Sequence, residues 1–366
     1  MKSFKYSMPS EIYFGKEAVL NNRELFKRYE GKAFIITGKS SSRKNGSLED
    51  VIKALEYCEA EYILFDEVEE NPSIETIGRA AELGREENIS FIIGIGGGSP
   101  IDAAKAIGIL INNKEYDARS VLGAPPLKSV PLIAVPTTSG TGTEVTQYSI
   151  VTDHADKTKK NLGQSVFADI TFLDPKYMMD MPYSITVSTA LDAFSHLAEA
   201  YLNTGANLLS DTYAEKGMDI FGQCLKPLIN NTLDYEIREK LLWASTLGGM
   251  AIAQVGTSLP HGMGYALTYF KGLPHGKANC ILYREYFKVF KDKSRINKIL
   301  NIIGLNTIDE LGDIISKLLN VDIEVTEEEL REYTEAFAGN EAKLKNHPEK
   351  ITKEEIYNIY SKSLLK

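Results

Sequence analysis

Three of the five histidines in this 366-residue chain, His196, His261 and His275, fall in helical stretches of the second half, beside a residue that could join them on one ion. Asp192 precedes His196 by four positions. Positions i and i+4 of a helix share a face, so a carboxylate and an imidazole there can converge. His261 and His275 each stand in a Leu-Pro-His-Gly tetrapeptide, at 259–262 and 273–276. Proline just before histidine predicts that each histidine opens a helix. The positive end of the helix dipole discourages protonation there, and a ligand imidazole must be neutral. Three nitrogens and one oxygen suit a borderline divalent cation, Fe(II) or Zn(II), rather than Mg or Ca. Taken singly, each histidine reads more simply as a core or surface residue, and the Asp–His pair as a helix-surface contact. The set carries the metal reading. His154 and His347 lie in polar, loop-like stretches and take no role.

A second constellation suits a phosphate. Residues 94–105 read Gly-Ile-Gly-Gly-Gly-Ser-Pro-Ile-Asp-Ala-Ala-Lys, a strand end followed at once by a helix. Ser99 is expected at the N-cap, Pro100 at the first helical position and Asp102 two further on. Glycines admit a ligand close to the backbone, and the free N–H groups of the helix start favour an anion such as a pyrophosphate. Alone, the cluster equally suits a well-capped turn. It is not the dinucleotide fingerprint GxGxxG, because Ser99 replaces the third glycine. Nor is Gly38-Lys39-Ser40 a P-loop, since Ala33 stands where the upstream glycine is required. Two more polar, glycine-bearing loops, 37–44 and 136–144, also follow apolar runs. In an open α/β sheet ligands lie beyond the carboxyl ends of the strands. Three such loops would share one crevice, which raises a nucleotide site above a bare turn.

The elements that must position these groups differ between the two halves. Strands are expected at 32–37, 62–65, 91–96 and 130–135. A helix opened by a capping box at Ser47–Asp50 should run to about Cys58, with further helices over 74–88 and 100–110. Alternation of this kind predicts a parallel sheet with helices on both faces. Beyond about residue 182 the texture becomes helical, with helices over 188–202, 210–221 and 235–255 and charged helices at 327–335 and 350–363. An α/β nucleotide-binding domain over 1–182 and an all-α domain over 183–366 are expected.

Composition narrows the function classes. Net charge is −9, which argues against nucleic-acid or anionic-membrane partners, since these need a basic footprint. Cys58, Cys224 and Cys280 form no paired motif, so neither a disulfide framework nor a cysteine zinc site is implied. The first fifteen residues hold no apolar run of signal-peptide length. A cytoplasmic protein is expected.

These strings together resemble the iron-containing (group III) alcohol dehydrogenases over nearly the whole length. The matching segments are Gly96–Asp102, Pro136–Glu144, Ala190–His196, and His261-Gly-Met-Gly through His275-Gly-Lys-Ala-Asn279. The resemblance implies a Rossmann-like N-terminal domain, a helical C-terminal domain and a cleft between them. It implies that Asp192, His196, His261 and His275 hold the metal. It also implies that Asn71, Gly97, Gly98, Ser99, Asp102, Thr137, Thr138 and Thr141 line the cofactor site. Lys160 falls at the family lysine near the nicotinamide ribose, or Lys159 in a shifted alignment. A homodimer acting on a small alcohol or aldehyde is implied as well.

Three departures from the family pattern carry expectations. Members that prefer NAD often have an aspartate after the first strand. Here Gly38 stands there, followed by Ser40, Ser41, Arg43 and Lys44. Removal of an anion and addition of hydroxyls and cations suits a 2′-phosphate, so NADP(H) is expected over NAD(H). Many members carry a second histidine four residues after the first, where this chain has Tyr265. A phenol with an ordinary pKa near 10 is a poorer base at neutral pH. Finally, Ile281–Glu285 and Ala168-Asp169 replace proline-bearing family segments and are expected to alter the pocket. Glycerol dehydrogenase with zinc and NAD is an alternative, as is a dehydroquinate-synthase-type lyase. The lyase would need several converging cations, and only Lys271 and Lys277 lie near the histidines. Nothing in the chain argues for a non-catalytic sensor.

Overall fold

The computed structural model describes residues 3–365. The chain divides into two compact units, residues 8–181, and residues 182–365 together with 3–7. The first few residues group with the helical unit for a local reason. Gln254 clamps Ser7 through both its amide atoms (3.2 and 2.9 Å), and the Tyr6 and Tyr213 hydroxyls meet at 2.9 Å.

The first unit is built on a six-stranded, all-parallel sheet. Its strands are β1 Glu11–Phe14, β2 Lys32–Thr37, β3 Tyr62–Phe65, β4 Ile89–Gly96, β5 Leu132–Pro136 and β8 Ile170–Leu173, in spatial order β1-β8-β5-β4-β2-β3. A separate antiparallel hairpin joins β6 Ile150–Asp153 to β7 Thr158–Asn161. Alternation along the central strands fills two cores. Phe34, Ile36, Ile92, Leu132 and Ala134 pack on one face, beside helices Ile74–Glu86 and Gly98–Asn112. Ala33, Ile35, Phe91, Ile93, Ile133 and Val135 pack on the other, beside helix Ser47–Tyr57. A sheet covered on both faces needs such continuous apolar strands. Between β3 and β4 the chain crosses back over β2, so the order reverses between β2 and β4. That is where ligands bind in sheets of this kind.

Helix Ser47–Tyr57 does not open with a capping box. Gly46, at φ +83°, is its N-cap, and Ser47 is already helical. The Ser47 hydroxyl instead donates to Asn45 Oδ1 (2.7 Å). The Asp50 carboxylate accepts from the Tyr177 hydroxyl (2.9 Å) and the Lys176 ammonium (2.7 Å). Capping boxes are present at Asn207, Thr326 and Thr352.

The second unit is helical. Its long members are Tyr183–Leu202, Leu208–Asn230, Tyr235–Val255, Leu259–Lys271, Ile308–Leu319, Glu327–Ala338 and Lys353–Leu364, around one apolar core. Short helices His275–Cys280 and Tyr283–Val289 complete the part that matters for the site. No helix among the described residues is long and apolar enough to cross a membrane.

His347 lies in a loop, as expected, but its side chain is buried. It is 5 % exposed, with its ring 4.6 Å from that of Phe290 and 5.8 Å from that of Tyr286. Burial pushes its imidazole down from 6.5 to about 4, against the pull of Glu349 and Glu355. The unfolded chain therefore takes up this proton before the folded chain does. Stability contributed by neutral His347 is intact above pH 6.5 and lost as pH falls towards 4. Urea unfolding of the wild type and His347→Leu at pH 7 and pH 4.5 should reveal an acid-induced loss larger in the wild type by about 2 kcal/mol. Equal losses in both would contradict this role.

Candidate metal centre and nucleotide cradle

Helix Tyr183–Leu202 carries Asp192 and His196 on one buried face, and both side chains point into the unit. Helix Leu259–Lys271 brings His261 in its first turn, with Pro260 ahead of it. His275 is the first residue of the short helix after Pro274. The glycine after His275 explains the close approach. A Cβ on Gly276 would sit 1.9 Å from the Ser188 carbonyl oxygen and 2.8 Å from Asp192 Cβ. Only a bare backbone lets the His275 turn lie against the helix that bears Asp192.

One ligand atom from each of Asp192, His261 and His275 lies within 4.8 Å of the others. Asp192 Oδ1 is 3.6 Å from His261 Nε2 and 3.9 Å from His275 Nε2. Asp192 and His261 side chains are 4 % exposed, and His275 is 23 % exposed, which leaves one open side. His261 Nε2 is buried and has no hydrogen-bond partner among the described residues. A buried polar atom without a partner is costly, and a cation between it and the Asp192 carboxylate would satisfy both. The donor set therefore fits a divalent cation. His196 is buried and its ring stacks on His261 at 4.5 Å, but it is not one of the three converging groups. Tyr265 lies beside the cluster, its ring 5.7 Å from that of His275.

Two further residues complete the centre without having stood out in the sequence. Asn279, one turn after His275, places its Nδ2 3.2 Å from His275 Nε2 and 3.4 Å from Asp192 Oδ1. Glu199 is fully buried and accepts from the Ser258 amide (2.6 Å), with His261 Nδ1 also at 2.6 Å. Burial opposes its charge, but His261, Lys343 and the Ser258 amide together hold the carboxyl below its usual range. As a carboxylate it can only accept, so Nδ1 of His261 is the donor. The available signal was an acid seven positions after Asp192 in an apolar helix. Of the segments that depart from the family, Ile281–Glu285 supplies Tyr283, whose hydroxyl lies 3.2 Å from Glu199 Oε1. Ala168-Asp169 does not reach the loops of the cradle. Asp169 instead pairs with Leu132, through its carboxylate and its amide, at the opening of β5.

The loops at the carboxyl ends of β2, β4 and β5 lie side by side, since these strands are neighbours. The helix after β4 starts two residues earlier than its serine suggests, with Gly97 as N-cap and Gly98 as first residue. Pro100 still falls in the first turn, where its missing N–H costs nothing. Ser99 does not cap; its hydroxyl accepts from the Asn71 amide (3.0 Å). A Cβ on Gly98 would lie 2.7 Å from Thr141 Cγ2, and one on Gly97 would lie 3.1 Å from Thr138 Oγ1. The Thr137 amide donates to the Gly96 carbonyl (2.8 Å). Asp102 faces inward, accepting from the Thr143 hydroxyl and the Ile150 amide (3.0 Å). Fully buried Lys105 donates to the carbonyls of Thr143, Thr146 and Tyr148 and to the Thr143 hydroxyl, at 2.7–2.9 Å. These two charges tie the 143–150 segment to the helix of the cradle.

Adjacent side chains on β7 point to opposite faces. Lys159 Nζ donates to Asn71 Oδ1 (3.0 Å), whereas Lys160 pairs with Asp153 (3.0 Å) and Asp156. Lys159, not Lys160, is on the cradle side. At the end of β2, Ser40, Ser41, Arg43 and Lys44 are exposed, and Arg43 pairs with Asp66 at 2.7 Å. Gly38 is crowded: a Cβ there would be 3.3 Å from the Val68 carbonyl oxygen.

Comparison with known proteins agrees with both halves. The family model described as iron-containing alcohol dehydrogenase matches residues 9–175. The model for the C-terminal part of the Fe-containing alcohol dehydrogenase family matches residues 186–364. The chain is 33 % identical over 326 residues to an NADPH-dependent butanol dehydrogenase of Clostridium saccharobutylicum, covering 86 % of this chain and 82 % of that one. It is 33 % identical over 275 residues to lactaldehyde reductase of Escherichia coli, covering 74 % and 71 %. Its fold matches an iron-containing alcohol dehydrogenase from Thermotoga maritima with TM-score 0.93, 36 % identity and 99 % of each chain covered. The chain thus belongs to the iron-containing alcohol dehydrogenase family and is an NAD(P)-dependent alcohol dehydrogenase.

Proposed function

We propose that this enzyme transfers a hydride between NADP(H) and a small primary alcohol or its aldehyde, with Fe(II) or Zn(II) held by Asp192, His196, His261 and His275. The convergence of Asp192 Oδ1, His261 Nε2 and His275 Nε2 on one partly open point carries this reading. A cation there would polarise the alcohol or carbonyl oxygen, and the nicotinamide would carry the hydride. Asp192 supplies the charge that holds the cation, and the imidazoles supply neutral nitrogens. The backbone N–H groups at Gly97 and Gly98 receive the pyrophosphate, flanked by Ser99, Thr137, Thr138 and Thr141. Asn71 and Lys159 face the same cradle and take the nicotinamide ribose. Tyr265 serves the reacting oxygen as a hydrogen-bonding group rather than as a base. In this reading the enzyme works as a cytoplasmic homodimer.

Two observations support the finer choices. The absence of an acid at Gly38, with cations close by, favours a 2′-phosphate, and one relative is named as NADPH-dependent. Against the lyase alternative, the two lysines near the histidine motif are engaged elsewhere: Lys271 pairs with Glu329 (2.6 Å) and Lys277 donates to the Leu319 carbonyl (2.7 Å).

Anaerobic reduction of butanal after Fe(II) loading tests the reading, with NADPH and NADH side by side. Turnover that requires the metal and favours NADPH is expected; no turnover with either cofactor despite bound metal would overturn it. Asp192→Asn should lower metal occupancy and activity together, by at least about tenfold, and a fully active variant would exclude Asp192 as a ligand. Gly38→Asp should shift the NADPH/NADH ratio of kcat/KM towards NADH by about tenfold, or about 1.4 kcal/mol. Gly38→Ala controls for crowding against Val68. An equal shift in both variants would place the effect in packing rather than charge.

A further inference from the structure

Asp192 and Glu199 stand seven residues apart on helix Tyr183–Leu202, two turns along one face. Asp192 meets the ligand nitrogen of His261, and Glu199 meets the opposite nitrogen of the same ring. We propose that Glu199 is a positioning residue of the metal centre, fixing His261 as the Nδ1–H tautomer so that the Nε2 lone pair faces the cation shared with Asp192. The inference rests on the metal reading of that site and deepens it.

The geometry leaves one tautomer. His261 Nδ1 is 2.6 Å from Glu199 Oε1, a distance at which two lone pairs would repel, so the hydrogen lies between them. In the neutral ring that a metal ligand requires, Nε2 is then the atom with the free lone pair; it is buried, has no hydrogen-bond partner among the described residues and lies 3.6 Å from Asp192 Oδ1. The second oxygen, Oε2, accepts from the Ser258 amide at 2.6 Å. Ser258 is the N-cap of helix Leu259–Lys271, and no side chain of that helix caps it. One carboxylate thus fixes where the His261 helix begins and which way its imidazole is protonated. The Tyr283 hydroxyl, 3.0 Å from the Ser195 carbonyl and 3.2 Å from Glu199 Oε1, shares its hydrogen between them and steadies the carboxylate. Hydrogen bonds of this kind orient metal-bound histidines and raise their basicity.

Glutamine at position 199 would preserve volume but offer one acceptor where two donors need one. The test is calorimetric titration of the chelator-stripped full chain with Co(II), for the wild type, Asp192→Asn and Glu199→Gln, with the Co(II) absorption spectrum recorded in parallel. The expected result is one site in the wild type, little binding in Asp192→Asn, and a Kd about 10–100-fold weaker in Glu199→Gln, with an altered spectrum. Wild-type affinity and spectrum in Glu199→Gln, with binding lost in Asp192→Asn, would overturn this inference alone. No binding by the wild type, or undiminished binding by Asp192→Asn, would overturn the metal reading and this inference with it. Should Glu199→Gln not fold, the ¹⁵N-histidine spectrum of the metal-free wild type decides, with His261 assigned by His261→Gln. An Nδ1–H tautomer supports the role and an Nε2–H tautomer overturns it.

Discussion

Burying two carboxylates within two turns of one apolar helix is the constraint around which the second unit is arranged. Each would cost several kcal/mol if left without compensation. Glu199 meets that cost inside the protein, through the Ser258 amide and the imidazole of His261. Asp192 meets it only in part, through the long contact with Asn279. What remains is a carboxylate facing an imidazole nitrogen that has no partner. The surrounding chain conforms to this need. Gly276 is bare so that the His275 turn can press against the Asp192 helix, and Gly264 is bare where the Asn279 side chain lies.

The first unit solves a different problem with the same economy. Its sheet is apolar on both faces, so anything polar must gather at the strand ends. At the carboxyl ends of β2, β4 and β5 the glycines and threonines interlock, leaving helix-start amides unused. Asp102 and Lys105 lie one turn beneath and bind the following segment to the helix that carries those amides. The two charges therefore act on the shape of the cradle.

Much of this was legible in the residues. Strands at 32–37 and 62–65 and the helix at 235–255 are found at those bounds, because the strands are compact apolar runs between polar residues and the helix is a long amphipathic stretch. β7 escaped notice because Thr-Lys-Lys-Asn has no apolar face, and β1 because Glu11–Phe14 is a partly exposed run at the edge of the sheet. Helix starts at Ser47 and Ser99 were misplaced for one reason. A glycine just upstream began the helix, and each serine found a partner outside the cap. Asp192, His261 and His275 could be singled out by type and spacing. Glu199 and Asn279 could not, since their roles depend on helices that are distant in sequence. Which of Lys159 and Lys160 lies beside Asn71 likewise depends on the pleat of β7.

Diffraction at the metal absorption edge, from crystals grown anaerobically with Fe(II), tests the metal centre most directly. The account predicts one anomalous peak roughly 2.0–2.2 Å from an Asp192 oxygen and the Nε2 atoms of His261 and His275, with His196 turned in as the fourth ligand. A peak elsewhere, or none beside Asp192 at full loading, would contradict it.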